Sequence, residues 1–202
     1  MTVIHRPALI SEEEYLSSPA YEDWRYEYVG GKVVAMAEPS DRHEIISGNV
    51  FGALHQHLRK HPCQVFHGNK RVRTGFLNRA FHYYPDVMVI CQTEQPDPRF
   101  KEGPSLVVEV LSPTTENTDI REKMFAYLNT ASVQHYVIVA QDKVEITIYR
   151  RVSAPENWEV EVLNEGGDIL RLPDMAFQMS ASDVYERSGV MGGAATADDL
   201  PV

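Results

Sequence analysis

The 202-residue sequence contains only two cysteines, Cys63 and Cys91, and they are isolated from each other. Two cysteines cannot build the disulfide framework of a small secreted domain, and their isolation argues against a structural zinc site. We therefore expect two buried thiols in a reducing compartment. No apolar run approaches the ~18 residues that a membrane span needs, and the N-terminus lacks the apolar segment of a signal peptide. Together these absences predict a cytoplasmic protein.

An excess of basic residues is also lacking. The sequence has 19 Lys plus Arg against 29 Asp plus Glu, which gives a net charge of −10. This balance argues against a protein that coats nucleic acid through nonspecific phosphate contacts. A nuclease stays compatible with it, because a metal site needs clustered acids and a basic patch can be local. There is no Gly-rich phosphate loop and no G-x-S-x-G motif, which argues against P-loop nucleotidases and serine hydrolases.

The N-terminal third contains clear signals for regular structure. Ser11 and Glu14 have the spacing of a capping box and predict a short helix. Alternating residues on both sides of Gly30-Gly31 predict a hairpin with a tight turn. From Ser40, apolar residues at steps of four predict a helix of about five turns.

The rest of the chain adds strands around a second helix. We predict strands at 63–76, 80–92, 105–111, 134–140 and 143–151, a helix within 112–130, and a β segment over 158–173 that turns at Gly166-Gly167. Helices flanked by strands on both sides indicate a mixed sheet covered on two faces. The fold class is therefore α/β, bordering on α+β. The small, polar end of the chain is predicted to be a disordered tail over 188–202.

Two carboxylates occur in segments that are otherwise apolar. Asp86 opens the stretch PDVMVI, and Glu109 lies within VVEVL in the next buried strand. Neighbouring strands that bring these acids to the same end would place them a few ångströms apart, where like charges need a cation between them. Hard oxygen ligands suit magnesium or manganese. Lys123 flanks the apolar face of the following helix, from where it can reach the mouth of the Glu109 strand.

These segments together resemble the Uma2 family, also called DUF820, within the PD-(D/E)XK restriction-endonuclease-like superfamily. The resemblance covers roughly residues 10–185 and includes PD at 85–86, VVEVLSP at 107–113, DIREKMFAYL at 119–128 and YEYVGGKVVAM at 26–36. It implies one domain over 1–187, a central mixed sheet flanked by helices, and a magnesium-dependent phosphodiesterase site.

The resemblance also implies roles for particular residues. Asp86 and Glu109 correspond to the motif Asp and Glu, as catalytic residues and ligands of Mg²⁺ or Mn²⁺, and Glu27 corresponds to a further acidic ligand. The superfamily expects a lysine two residues after the Glu, but position 111 is Leu. Lys123 resembles a replacement for this catalytic lysine, because the family has a lysine in the following helix. His43 matches the His of the long helix and is expected to touch the site or a phosphate.

Each of these residues also has a structural interpretation. Glu109 and Lys123 could form an ion pair that only stabilises the fold, and Glu27 could be a cross-strand partner of a nearby base. Arg71 and Arg73, in the basic segment NKRVR, could contact a substrate phosphate. They could equally mark a charged edge strand that prevents aggregation.

The functional expectation is a divalent-metal-dependent endonuclease that hydrolyses nucleic acid, preferably DNA, with a metal-activated water. Two alternatives stay open: a non-catalytic binding or assembly protein that keeps the nuclease fold, and a hydrolase of a small phosphate compound. No membrane partner is expected. Because restriction-like nucleases often pair two sites to cut two strands, analogy predicts a homodimer, with the C-terminal hairpin as the pairing surface.

Overall fold

The computed structural model describes residues 9–21, 25–76, 79–92, 94–95, 97–111, 119–153 and 157–191. The helices are α1 (Glu12–Ser17), α2 (Asp41–Leu58), α3 (Asp119–Leu128) and α4 (Ala181–Val184). The strands are β1 (Tyr26–Val29), β2 (Lys32–Ala35), β3 (Gln64–His67), β4 (Val72–Phe76), β5 (Arg79–Tyr83), β6 (Val87–Ile90), β7 (Pro104–Leu111), β8 (His135–Ala140), β9 (Ile146–Ser153), β10 (Asn157–Leu163), β11 (Ile169–Leu172) and β12 (Phe177–Ser180).

The strands form three sheets. The largest has six strands in the order β10-β9-β8-β7-β6-β3, and the second has four in the order β2-β1-β5-β4. Strands β11 and β12 pair with each other. Within the large sheet β7 and β8 are parallel, while the neighbouring pairs are antiparallel. The large sheet is therefore mixed.

Apolar side chains cover both faces of the large sheet. Residues such as Val87 and Val108 point to one face, where they pack with α2, α4 and the β11-β12 pair. Their neighbours Met88 and Val107 point to the other face, where they pack with α3 and with the four-stranded sheet. This alternation is what a strand buried on both sides requires. The predicted α/β fold, with a mixed sheet between helices, is confirmed.

Local sequence signals set several element boundaries as predicted. Ser11 and Ser40 are the N-caps of α1 and α2, and the side chain of each accepts a backbone N–H in the first turn. Gly30 and Gly31 both have positive φ, which a tight hairpin turn needs and which glycine adopts without strain. The turn places Val29 opposite Lys32.

Two predicted strands are each divided between two sheets. The segment 63–76 breaks at Gly68, where φ is +52°, so that β3 joins the large sheet and β4 the smaller one. The segment 80–92 breaks before Val87, so that β5 and β6 also separate. Pro85 lies at this break, and proline has no N–H to donate to a ladder. The prediction of continuous strands was wrong here.

The C-terminal β segment also differs from the prediction. β10 pairs with β9, and β11 pairs with β12, so Gly166-Gly167 does not join two paired strands. Side chains of β11 and β12 such as Leu170 and Phe177 are buried in the core shared with α2. This hairpin therefore packs within its own chain. The predicted homodimer stays a prediction.

The two cysteines are bonded to each other, contrary to the expectation of two buried thiols. Antiparallel pairing of β3 with β6 places Gln64 opposite Ile90, and Cys63 and Cys91 are the next residues outward. Their sulfur atoms form a disulfide that joins the two strands. Isolation in the sequence gave no indication of this contact, because it depends on the register of two strands.

Among the described residues, no helix is both long enough and apolar enough to cross a membrane. The predicted tail lies largely outside the described residues, which end at 191.

Candidate functional site

A cavity of about 490 Å³ lies where the ends of β1, β6 and β7 meet the start of α2. The segment 34–40, which runs from the end of β2 to the N-cap of α2, forms much of one wall. The acidic and basic residues on its surface are Arg25, Glu27, Glu38, His43, Asp86, Glu109 and Lys123. All five residues predicted to form the central site, from three sheet strands and two helices, are in this set.

Asp86 and Glu109 reach the cavity through the pairing of β6 with β7. Val87 lies opposite Val108, and one step further along the ladder Asp86 stands beside Glu109. Only 7% and 4% of their respective surfaces are exposed. Asp86 Oδ2 accepts a hydrogen bond of 2.7 Å from the backbone N–H of Val110, which fixes the carboxylate against β7.

His43, in the first turn of α2, contacts the same carboxylate. Its Nε2 lies 3.1 Å from Asp86 Oδ2. Burial lowers the pKa of His43, but the hydrogen bond and the charge of Asp86 outweigh this effect and hold the pKa above its ordinary value. The expectation that His43 touches the site agrees with this geometry.

Lys123 projects from α3 toward two of the carboxylates. Its Nζ lies 2.8 Å from Glu27 Oε1 and 4.0 Å from Glu109 Oε2. Glu27 Oε1 also accepts a hydrogen bond of 3.3 Å from the backbone N–H of Tyr84. Lys123 is 8% exposed. The Lys123 ammonium thus lies between two carboxylates. Leu111, at the position where the superfamily has its lysine, cannot supply this charge.

Sequence reasoning did not identify Tyr127 as part of the site. This residue is completely buried, and its hydroxyl donates a hydrogen bond of 3.3 Å to Glu109 Oε1. Burial, followed by the charge of Glu109, holds the pKa of Tyr127 well above its ordinary value, so the hydroxyl remains a donor. The available signal was spacing: Tyr127 follows Lys123 by four residues and shares its helix face.

Arg71 and Arg73 do not line the cavity. Arg71 donates two hydrogen bonds, of 3.0 and 2.8 Å, to the hydroxyl of Tyr84. Arg73 forms ion pairs with Glu12 and Glu102. Arg73 lies in β4, at the edge of the four-stranded sheet. Arg71 thus contacts the residue whose N–H binds Glu27, and Arg73 is held by ion pairs outside the cavity lining. The predicted contact of these two arginines with a substrate phosphate stays a prediction.

The oxygen donors of the cavity suit magnesium, which keeps several water ligands, better than a metal ion whose ligands all come from the protein. Within the described part of the chain, no three His, Cys, Asp or Glu side chains are grouped closely enough to hold an ion. Asp86 and Glu109 are adjacent oxygen donors, and Mg²⁺ is usually bound by one or two carboxylates with water completing its shell. Glu27 instead binds Lys123. The predicted metal role of Glu27 stays a prediction.

The sequence and the fold were compared with known proteins. Residues 12–182 match the Uma2 family model, which is described as "Putative restriction endonuclease". Two proteins of Synechocystis sp. (strain ATCC 27184 / PCC 6803 / Kazusa) are similar along most of their length. The uncharacterized protein slr1290 is 29% identical over 91% of this chain and 97% of its own. The uncharacterized protein sll1609 is 23% identical over 84% of this chain and 96% of its own.

A solved structure has a similar fold. It is the crystal structure of a putative nuclease belonging to DUF820 from Anabaena variabilis ATCC 29413. Its TM-score is 0.69 with 21% sequence identity, and the match covers 87% of this chain and 97% of that one. The resemblance to the Uma2 family noted in the sequence is confirmed.

Proposed function

Because this chain belongs to the Uma2 family, we propose that it is a divalent-metal-dependent nuclease that hydrolyses phosphodiester bonds in nucleic acid. The observation that supports this proposal is the convergence of Asp86, Glu109 and Lys123 on one cavity, although they come from three separate elements. The family description, the nuclease-like fold and the oxygen donors agree with one another.

Asp86 and Glu109 are the residues that would hold the cation. Their burial and the hydrogen bonds from Val110 and Tyr127 restrict the directions in which their oxygens can point. When bound, a divalent cation supplies a nucleophilic water at neutral pH and offsets negative charge on the phosphate. His43 contacts Oδ2 of Asp86, the same oxygen that accepts the Val110 N–H. These contacts preorganise the carboxylates before substrate arrives.

Lys123 is the residue that would stabilise the charge of the phosphate as the bond breaks. Its ammonium group has three donors, and Glu27 occupies the direction toward β1. A phosphate oxygen bound near Glu109 would lie within reach of the same ammonium group, in a site partly screened from water where such a hydrogen bond is strong. Glu27 thereby acts as the residue that orients the lysine.

DNA is our first choice of substrate, although the net charge of −10 opposes nonspecific binding to a duplex. The cavity combines acids with three basic side chains, so local attraction to phosphate is compatible with an acidic whole. Binding should consequently be sensitive to salt and limited to a short stretch of the strand.

Metal binding tests the proposal without any assumption about the substrate. We expect calorimetry to detect one Mn²⁺ site in the wild type and to lose it in Glu109→Gln. Glu161→Gln makes the same change on β10, outside the cavity, and should bind like the wild type. Lys123→Gln should keep the metal site and lose at least about a hundredfold in turnover, as expected when one stabilising donor is removed.

Two outcomes would contradict the proposal. Equal Mn²⁺ binding in the wild type and in Glu109→Gln, or no binding in either, would make Glu109 structural and favour a non-catalytic protein with a nuclease fold. Cleavage of DNA by the wild type with the metal chelated would exclude the metal-dependent reaction.

A further inference from the structure

Arg25 is the basic residue of the cavity whose side chain is not accounted for by the contacts described above. The other two basic residues of the cavity are engaged, Lys123 with Glu27 and His43 with Asp86. Among the described residues, the guanidinium of Arg25 has no hydrogen bond, ion pair or ring contact, although it is half-buried on a wall that includes four carboxylates. In a chain with a net charge of −10, an arginine held in this way is suited to an anionic ligand.

The backbone fixes the direction of Arg25. Its carbonyl oxygen accepts a hydrogen bond of 2.9 Å from the N–H of Met36, which continues the β1-β2 ladder by one residue. Arg25 and Glu27 are therefore two residues apart in extended backbone, and their side chains leave the same face. Two residue rises separate their Cα atoms by about 7 Å.

The guanidinium is directed toward the turn at Gly68. Its Nη1 is 3.8 Å from the position that a Cβ on Gly68 would occupy, so the group extends toward the end of β3. Gly68 has positive φ, a backbone conformation that glycine adopts without strain. The Lys123 ammonium, in contrast, lies between Glu27 and Glu109.

We propose that Arg25 binds the phosphate next to the one that is cleaved, so that the cavity is built for an oligonucleotide strand and not for an isolated phosphodiester. This inference rests on the proposed function. A single phosphate placed at Asp86, Glu109 and Lys123 does not account for Arg25, which lies two residues before Glu27 on the same face of the strand. A planar guanidinium binds two phosphate oxygens at once, which suits a backbone phosphate held in one orientation.

Binding of a fluorescein-labelled single-stranded oligonucleotide, measured by anisotropy in Ca²⁺ instead of Mg²⁺, tests the inference. We expect Arg25→Gln to weaken binding at least tenfold. It should also reduce the slope of log Kd against log salt by about 0.7, the contribution of one phosphate contact to a single strand. Arg25→Lys should keep the salt slope while binding more weakly than the wild type, since it keeps the charge and loses the two-point contact.

Arg59→Gln is the matched control. Arg59 is exposed at the C-terminal end of α2, about 24 Å of helix away from His43 in the cavity, and its replacement removes the same charge. The Kd of Arg59→Gln should stay within twofold of the wild-type value. Its salt slope should equal that of the wild type within error. Thermal melts of each variant establish that the fold is unchanged.

A second probe, bis(p-nitrophenyl) phosphate, has one phosphodiester and no neighbouring phosphate. Arg25→Gln should lose clearly less in the hydrolysis of this probe than in the hydrolysis of the oligonucleotide. An equal loss on both probes would place Arg25 at the cleaved phosphate and overturn the inference, as would wild-type oligonucleotide binding by Arg25→Gln or no binding by the wild type. Binding that depends on Arg25 without any hydrolysis would leave the inference standing and overturn the proposed nuclease reaction.

Discussion

At the scale of single residues, the cavity contains buried charges that are neutralised in pairs. Glu27 pairs with Lys123, and Asp86 with His43, each at about hydrogen-bond distance. Removing one partner of a buried pair typically costs 3–5 kcal/mol, about as much as a small protein can lose, because the other charge is left uncompensated. A chain under selection for stability alone has less costly ways to fill this space with apolar residues. The charges are therefore better explained by function than by folding.

The hydroxyl of Tyr127 gives a prediction at this scale. Tyr127→Phe removes the hydrogen bond to Glu109 and keeps the buried ring. We expect about a tenfold loss of Mn²⁺ affinity in calorimetry, which is typical when a partner that orients a metal ligand is removed. The free energy of unfolding should fall by only about 1 kcal/mol.

Tyr185→Phe is the control for this change. Tyr185 is also buried, and its hydroxyl donates to the carbonyl oxygen of Glu145, outside the cavity. The control should lose similar stability and keep its metal affinity. If both variants bound Mn²⁺ like the wild type, Tyr127 would have no part in the site.

At the scale of elements, the site depends on where strands are interrupted. The breaks at Gly68 and Pro85 direct β3 and β6 into the large sheet and β4 and β5 into the smaller one. Asp86 stands at the start of β6, directly after the second break, and the carbonyl oxygen of Asp86 accepts the N–H of Gly68 across it. The same pair of strands is joined by the Cys63–Cys91 disulfide at its far end.

The disulfide gives a prediction at the scale of these two strands. It closes a loop with a sequence separation of 28 residues, for which the chain-entropy relation gives about 3–4 kcal/mol of stability. Urea unfolding with and without dithiothreitol measures this difference. The Cys63→Ser/Cys91→Ser variant should have the stability of the reduced protein and should not respond to the reductant. Equal stability of the wild type in both conditions would show that the bond does not constrain the unfolded chain.

At the scale of the whole molecule, a second buried cluster links α1 to the four-stranded sheet. His82 is completely buried, and its Nε2 lies 2.7 Å from Glu12 Oε1. Arg73 binds the same carboxylate and, as the largest effect, lowers the pKa of Glu12. Burial lowers the pKa of His82 to about 4, against the opposing effect of Glu12. The imidazole is therefore neutral in the folded protein at pH 7.

This cluster predicts a loss of stability in acid. The pKa of His82 is about 4 in the folded protein and 6.5 for an ordinary histidine, so the unfolded chain takes up a proton that the folded protein does not. Stability should fall as the pH drops from about 7 to 4, by up to about 3 kcal/mol from His82. The lowered pKa of Glu12 acts in the same direction, since its contribution is lost as the carboxylate is protonated.

Urea unfolding at a series of pH values between 7.5 and 4 measures this dependence. His82→Gln keeps a side-chain donor for Glu12 and cannot titrate, so its stability should change less over this range. A variant with the same pH profile as the wild type would show that His82 is not the group responsible.

Much of the local structure and several site residues could be predicted from the sequence. The capping serines, the Gly30-Gly31 turn and the stripe of α2 are local signals, because each acts within a few residues of the chain. A carboxylate in an apolar strand is conspicuous for the same reason, since burial without a partner is costly wherever the strand lies. Asp86 and Glu109 were identified in this way. The motifs at these positions also indicated the Uma2 family.

The tertiary structure decided everything that depends on which strands become neighbours. The sequence pattern did not predict that two strands are each divided between two sheets or that Cys63 lies beside Cys91. It also did not predict that Arg73 lies outside the cavity. Tyr127 and Arg25 belong to the same group, because a tyrosine on an apolar helix face and an arginine before a strand are ordinary until their surroundings are known. The sequence by itself determined the capped helices, the tight turn and the acidic residues that stand out in apolar segments. Long-range pairing, which no short stretch of residues encodes, decided which of these side chains share a cavity.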